Sequence, residues 1–236
     1  MRKILITNDD GISSEGIVRL AKTAVKFGEV YVVAPNHQCS AMSHHITLHE
    51  PFDCYPAEFP VQGVKAYSIT GTPADCIRFG ALNICKKPDI VISGVNFGFN
   101  CGSDLQYSGT VSAALEGACV GIHSIAVSEG IDGNNEVIDK YLEEILAELI
   151  EKPLGYNQIW NVNFPDCPLS EFKGVQWDRT VARSAFFTDG YLEEELPDGG
   201  HRVTVDGAWA PDAPEGTDVY SCTHGYISIG VVNNIS

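Results

Sequence analysis

Two adjacent carboxylates, Asp9 and Asp10, stand in the stretch Asn8-Asp9-Asp10-Gly11, directly after the apolar run Ile4-Leu5-Ile6. Side by side they repel and resist joint ionisation unless a cation lies between them. Hard divalent cations such as Mg²⁺ take oxygen ligands of this kind. Asn-Asp-Asp-Gly is also good turn chemistry without any ligand, because Gly11 supplies the backbone freedom a sharp turn needs. The stretch alone leaves both readings open. Ser40, in the polar loop 37–43, and Asn96, in the Gly- and Asn-rich loop 94–109, offer a hydroxyl and a carbonyl that would complete an oxygen-only shell. Ser108-Gly109-Thr110 heads a small-residue helix. Outward N–H groups, the helix dipole and two hydroxyls make such a place an anion site, with a simple N-cap as the alternative. A cation polarising a phosphoryl oxygen beside a helix end that holds it is the equipment of phosphoryl transfer.

The elements that must position these groups follow from periodicity. A buried strand at 4–6 ends in the acidic turn, and Ser13, Ser14 and Glu15 open a helix through Val18, Leu20, Ala21 and Val25. Further strands are expected at 29–34, 46–51, 64–69, 89–93, 124–127 and 159–164, with helices at 76–82 and 110–120. Val137, Ile138, Tyr141, Leu142, Ile145 and Leu149 recur at helical spacing, and Glu143, Glu144, Glu148 and Glu151 form a solvated face. Strands alternating with helices imply an α/β fold with a mostly parallel sheet covered on both sides. In such a sheet ligands bind beyond the carboxyl ends of the strands, which is where Asp9, Asp10, Ser40 and Asn96 fall. From residue 174 the texture changes. Alternating segments at 179–187 and 201–205, separated by Pro197-Asp198-Gly199-Gly200, read as an antiparallel hairpin, followed by a last strand at 226–232. The expected division is a catalytic core over 1–173 and a β arm over 174–236.

Composition narrows the function. Hydrophobic residues make up 44% of the 236 and charged residues 19%, enough for one large core. The formal net charge of −16 argues against sequence-independent binding of a nucleic-acid polymer, which needs a basic, phosphate-neutralising surface, and no such partner is expected. A membrane span or secretory signal is not expected, and a cytoplasmic protein is. The eight cysteines form no Cys-x-x-Cys pair. His44, His45 and His49 are poor metal candidates, because His45 and His49 do not share a face in an extended segment. Neither a P-loop nor a Gly-x-Ser-x-Gly elbow is present, and Gly94, Gly98 and Gly102 lack the spacing of a dinucleotide fingerprint.

The motifs ITNDDG (6–11), GTPADC (71–76), SGVNFGFNCGSD (93–104) and YSGTVSAALEGA (107–118) together resemble the SurE survival-protein family of metal-dependent nucleotidases. The resemblance implies a Rossmann-like three-layer α/β/α core with a C-terminal β-hairpin arm used in assembly, as a homodimer or homotetramer. It implies hydrolysis of nucleoside 5′- and 3′-monophosphates with one divalent cation per subunit, Mg²⁺ or Mn²⁺. The implied metal ligands are Asp9, Asp10, Ser40 and Asn96, with Asp9, Asp10 and Asn96 catalytic. Asn8, Ser40, Thr72, Asn96, Ser108, Gly109 and Thr110 are the implied substrate contacts. The chain departs from the family pattern where Cys39 precedes Ser40, where Ser43 replaces a glycine, at Phe97 and Phe99, and at Gly230-Val231-Val232-Asn233. A phosphatase for sugar phosphates or short polyphosphate, and a non-catalytic nucleotide-binding module, remain rivals. Whether water or a carboxylate attacks is open.

Overall fold

The computed structural model describes residues 1–209 and 212–234. In chain order the elements are β1 (Lys3–Thr7), α1 (Glu15–Ala24), β2 (Glu29–Pro35), β3 (Cys54–Ala57), β4 (Lys65–Ile69) and α2 (Pro73–Phe79), which continues as a π-helical turn, Gly80–Ile84. Then come β5 (Ile90–Phe97), a 3₁₀ turn (Gly102–Tyr107), α3 (Gly109–Cys119), β6 (His123–Glu129), α4 (Glu136–Glu151) and β7 (Gln158–Phe164). The last stretch holds β8 (Gly174–Gln176), β9 (Phe187–Thr188), β10 (Tyr191–Glu195), β11 (His201–Val205), β12 (Ala208–Trp209), α5 (Asp218–Thr223) and β13 (Tyr226–Asn233). No helix among the described residues is long and apolar enough to cross a membrane.

The main sheet has nine strands in the order β3-β4-β2-β1-β5-β6-β7-β13-β8. The six from β4 to β7 are parallel, while β3 and β13 run antiparallel at its two sides. Apart from β4, next to the sheet edge, the parallel strands are buried over most of their length, which is why they read as apolar runs. Alternation along β1 sends Ile4 and Ile6 to a core shared with α1 and α4, and Leu5 to a core shared with α2. The result is three layers. From β1 the chain builds outward through β2 to β4, then returns to lay β5 on the other side of β1. The strand order reverses between β1 and β5, and the crevice of an open α/β sheet opens at that reversal.

Several expectations change. Residues 46–51 form no strand: the Asp75 carboxylate takes the Thr47 N–H that a ladder would need (3.0 Å), and the Thr47 hydroxyl holds the same carboxylate at 2.6 Å. The edge strand lies further on, at Cys54–Ala57. Residues 179–187 are likewise not a strand up to Phe187. The Ala182 N–H donates to Asp218 at 2.8 Å, and the Phe186 and Phe187 N–H groups donate to Asp104 at 3.0 and 2.9 Å. The hairpin around Pro197-Asp198-Gly199-Gly200 joins β10 to β11 instead. Helix α5, capped by Thr217, was not expected. Both β8 and β13 belong to the main sheet, so the chain rejoins the core within 174–236, and only the paired strands of 187–209 lie outside it.

Candidate active site

The turn after β1 is built by Asn8. Its amide donates to the Gly11 carbonyl at 3.0 Å and to Ser14 Oγ at 2.8 Å, while Ser14 caps α1 by accepting from the Ile17 N–H. Gly11 occupies φ +95°, a conformation open to glycine. Asn8 is fully buried, so it shapes the turn from beneath. Asp9 is only 4% exposed. Its carboxylate accepts the Thr110 hydroxyl at the head of α3. A Cβ on Gly109 would lie 2.9 Å from Asp9 Cβ and Oδ2, so this approach requires glycine there. Burial pushes the Asp9 carboxyl from 3.8 up to about 6, the Thr110 hydroxyl opposes that shift, and the neighbouring Asp10 charge adds to it. Asp10 is also raised by burial. Its Oδ2 accepts the Phe97 N–H at 3.3 Å, and its Oδ1 lies 3.5 Å from the Gln38 amide nitrogen.

Ser40 reaches the same point from the end of β2. The Cys39 N–H donates to the Asp9 carbonyl at 2.7 Å, pinning the loop to the acidic turn. One Gln38 amide nitrogen serves both Ser40 Oγ (3.0 Å) and Asp10. Ala41 and Ser43 hold φ of +56° and +54°, a left-handed backbone that costs a non-glycine residue about 1 kcal/mol. That is the physical reason a glycine is expected at 43. The loop stays there because the Ser43 N–H and hydroxyl donate to the carbonyls of Tyr107 (3.0 Å) and Gln106 (2.7 Å). Asn96 arrives on β5 just past a register shift against β6 between Ser93 and Asn96, the kind of irregularity that re-aims a side chain. Its amide nitrogen donates to the Gly98 carbonyl at 2.8 Å, leaving Oδ1 as the atom to offer a ligand.

The remaining residues singled out in the sequence are engaged by the protein itself. Thr72 caps α2 in a reciprocal box with Asp75, and its hydroxyl donates to the His45 carbonyl at 2.6 Å. Ser108 Oγ accepts the Val111 N–H at 3.0 Å as the N-cap of α3. The end of α3 thus presents its first donors to Asp9. His44 binds Glu116 at 2.9 Å, while His45 and His49 are exposed. Among the described residues no three His, Cys, Asp or Glu side chains cluster as a metal site. Asp9 and Asp10 have no Lys, Arg or His ion-pair partner there either. Two unneutralised carboxylates with a hydroxyl and an amide carbonyl form a donor set made of oxygen alone, suited to a hard divalent cation. Sequence reasoning missed Gln38, for which no local signal exists. It also missed Arg19, which pairs with Glu129 (2.6 Å) and Asp139 (3.1 Å). That pair lines a cleft of about 310 Å³ running from Asp10 and Gln38 past Phe97.

Comparison with known proteins finds relatives along nearly the whole chain. The family described as survival protein SurE matches residues 4–186. A protein named 5′-nucleotidase SurE from Thermoanaerobacter sp. (strain X514) is 41% identical over 231 residues, covering 96% of this chain and 90% of that one. Its namesake from Caldanaerobacter subterraneus subsp. tengcongensis is 40% identical over 232 residues, covering 96% and 89%. Among solved structures, the SurE protein of Aquifex aeolicus superposes with a TM-score of 0.83 at 32% identity, over 99% of this chain and 94% of that one. The family match over residues 4–186, and sequence likeness that runs nearly the whole length of the chain, lead to one assignment: this chain belongs to the SurE family.

Proposed function

We propose that this protein is a phosphomonoesterase that hydrolyses nucleoside 5′- and 3′-monophosphates to nucleoside and inorganic phosphate, using one Mg²⁺ or Mn²⁺ ion. The observation that carries the reading is the meeting of Asp9 and Asp10 with the Ser40 loop and the Asn96 strand at the reversal between β1 and β5. The nucleotidase name of the relatives supports the reaction class. The unneutralised acidic pair supports the metal, and the oxygen donors of Asp9, Asp10, Ser40 and Asn96 would hold it. When bound, such an ion supplies electrophilic polarisation of a phosphoryl oxygen.

The chain's own residues do the rest. Thr110 fixes the Asp9 carboxylate with its hydroxyl, so one acid cannot swing away as charge builds on the phosphoryl group. The Phe97 N–H and the Gln38 amide orient Asp10. Gln38 holds Ser40 Oγ toward the same centre. Buried Asn8 keeps the turn in shape from below. Gly109 lets the first turn of α3 approach closely enough for Thr110 to hold Asp9. The exposed Tyr191, Leu192, Val203, Val205 and Trp209 on the outer hairpins support self-assembly through this arm as a dimer or tetramer.

Phosphate release from a panel of 5′- and 3′-nucleoside monophosphates, with Mg²⁺, Mn²⁺ or EDTA, tests the assignment. Release that requires metal and falls at least about a hundredfold in Asp10→Asn is expected. Folded, metal-loaded protein that releases phosphate from sugar phosphates but from no nucleotide would overturn the substrate class.

A further inference from the structure

We propose that the buried Glu116 carboxylate, gripped by His44 and Arg78, is the latch that seats the Ser40 loop, making His44 and Glu116 positioning residues for the divalent cation. The inference rests on the reading that Asp9, Asp10, Ser40 and Asn96 hold that ion.

Residues 36–53 carry no helix or strand, and Ser40 with its neighbours His37, Gln38, Ala41 and Ser43 is exposed. Of residues 36–43 only Cys39 is buried, so packing anchors the start of the loop and leaves the Ser40 hydroxyl itself to hydrogen bonds. Two departures into left-handed backbone, at Ala41 and Ser43 on either side of Met42, persist only where surrounding contacts over-determine the path. Upstream, that contact is the Cys39 N–H on the Asp9 carbonyl. Downstream it is the pair of Ser43 bonds to the 3₁₀ turn, and immediately beyond them the His44 ring, with Nε2 at 2.9 Å from Glu116 Oε2.

Glu116 is an unusual residue for its place. It lies on α3, only 5% exposed, facing Arg78 of α2 and the loop that carries His44. A carboxylate is costly there unless paired. Its other oxygen takes the Arg78 guanidinium of α2 at 3.2 Å, which would suffice to join the two helices. The His44 contact adds nothing to that packing, since His44 comes from the loop. What it adds is a fixed distance along one rigid element. Thr110 in the first turn of α3 grips Asp9, and Glu116, nearly two turns further on, grips the segment bearing Ser40. One helix thereby sets the spacing between two of the oxygen donors.

The test uses the full chain with Mn²⁺ as probe. Wild type, His44→Ala, His44→Gln and Asp10→Asn are titrated with Mn²⁺ by electron paramagnetic resonance, and amide exchange is followed in the metal-free proteins. His44→Ala is expected to weaken Mn²⁺ binding roughly tenfold, and His44→Gln, which keeps an N–H donor, to restore affinity to within about threefold of wild type. Exchange should accelerate in residues 37–47 of His44→Ala while α2 and α3 keep their protection. At saturating Mn²⁺ the nucleotide KM should match wild type, since the defect lies in metal seating. Wild-type Mn²⁺ affinity in His44→Ala, with binding still dependent on Asp10, would overturn the latch and leave the metal reading standing. Equal loss of protection across α2 and α3 would reduce His44 to a general structural role and overturn it too. Wild type that binds no Mn²⁺, or Asp10→Asn that binds it as tightly, would overturn the metal reading and the latch together.

Discussion

The Thr110 hydroxyl donates to Asp9 Oδ1 across a sequence separation of 101 residues, joining the first turn of α3 to the turn that follows β1. The helix end therefore faces a carboxylate of its own chain. A bond of this kind favours the ionised acid, whereas burial favours the neutral one, and burial is the larger effect here.

Removing the hydroxyl with Thr110→Val raises the Asp9 pKa further above its usual range. Protons compete with a cation for a carboxylate, so the variant should lose Mn²⁺ affinity at a higher pH than wild type. Hydrogen bonds to charged groups are worth about 1.5–3 kcal/mol, so a deficit of roughly tenfold or more is expected near pH 6. The gap should narrow toward pH 8, where both carboxylates are ionised. Metal titrations across this range check the prediction, and parallel curves for the two proteins would contradict it.

The same acid sets a pH dependence of stability. Asp9 titrates near 3.8 unfolded and about 6 folded, so the native state binds the proton more tightly. Stability of the metal-free protein should then fall as pH rises through that window, by an amount of order 2–3 kcal/mol, and level off above it. Asp9→Asn removes the window. The Tm of wild type relative to Asp9→Asn should drop between about pH 4 and 6, and Mg²⁺ should raise the wild-type Tm above that range.

Gly109→Ala separates helix propensity from contact. Gly109 is the first residue of α3, where alanine gains less than the roughly 1 kcal/mol it is worth over glycine in a helix interior. The added Cβ would meet Asp9 Cβ and Oδ2 at 2.9 Å. Overpacking of that sort costs about 1–3 kcal/mol, so the variant should melt lower and lose phosphate release more than stability. A variant that is more stable and fully active would show that α3 can retreat from Asp9.

The outer hairpin can be excised at its neck, because the Asp206 N–H donates to the Gly190 carbonyl at 2.7 Å. Replacing 191–205 by two glycines removes strands whose residues are all exposed. The core should fold with little change in Tm, while the mass in solution, measured by light scattering, should fall toward that of a single chain.

Local chemistry made much of this protein legible in the sequence. The apolar run of β1, the Gly11 turn and the Ser14 cap are decided within about a dozen residues, because each satisfies its own backbone groups nearby. Where distant partners compete for backbone N–H groups, periodicity misled. Thr47 looks like strand, but Asp75 claims its N–H, and Asp104 and Asp218 do the same to residues 182–187. Only the tertiary structure returns β13 to the main sheet beside β7. Only it turns the hydroxyls of Ser108 and Thr110 inward, to a cap and to Asp9. The sequence alone determined which side chains stand at the strand ends. Which atoms those side chains face depends on how the chain returns to itself, since hydrogen-bond partners far apart in sequence are chosen by packing.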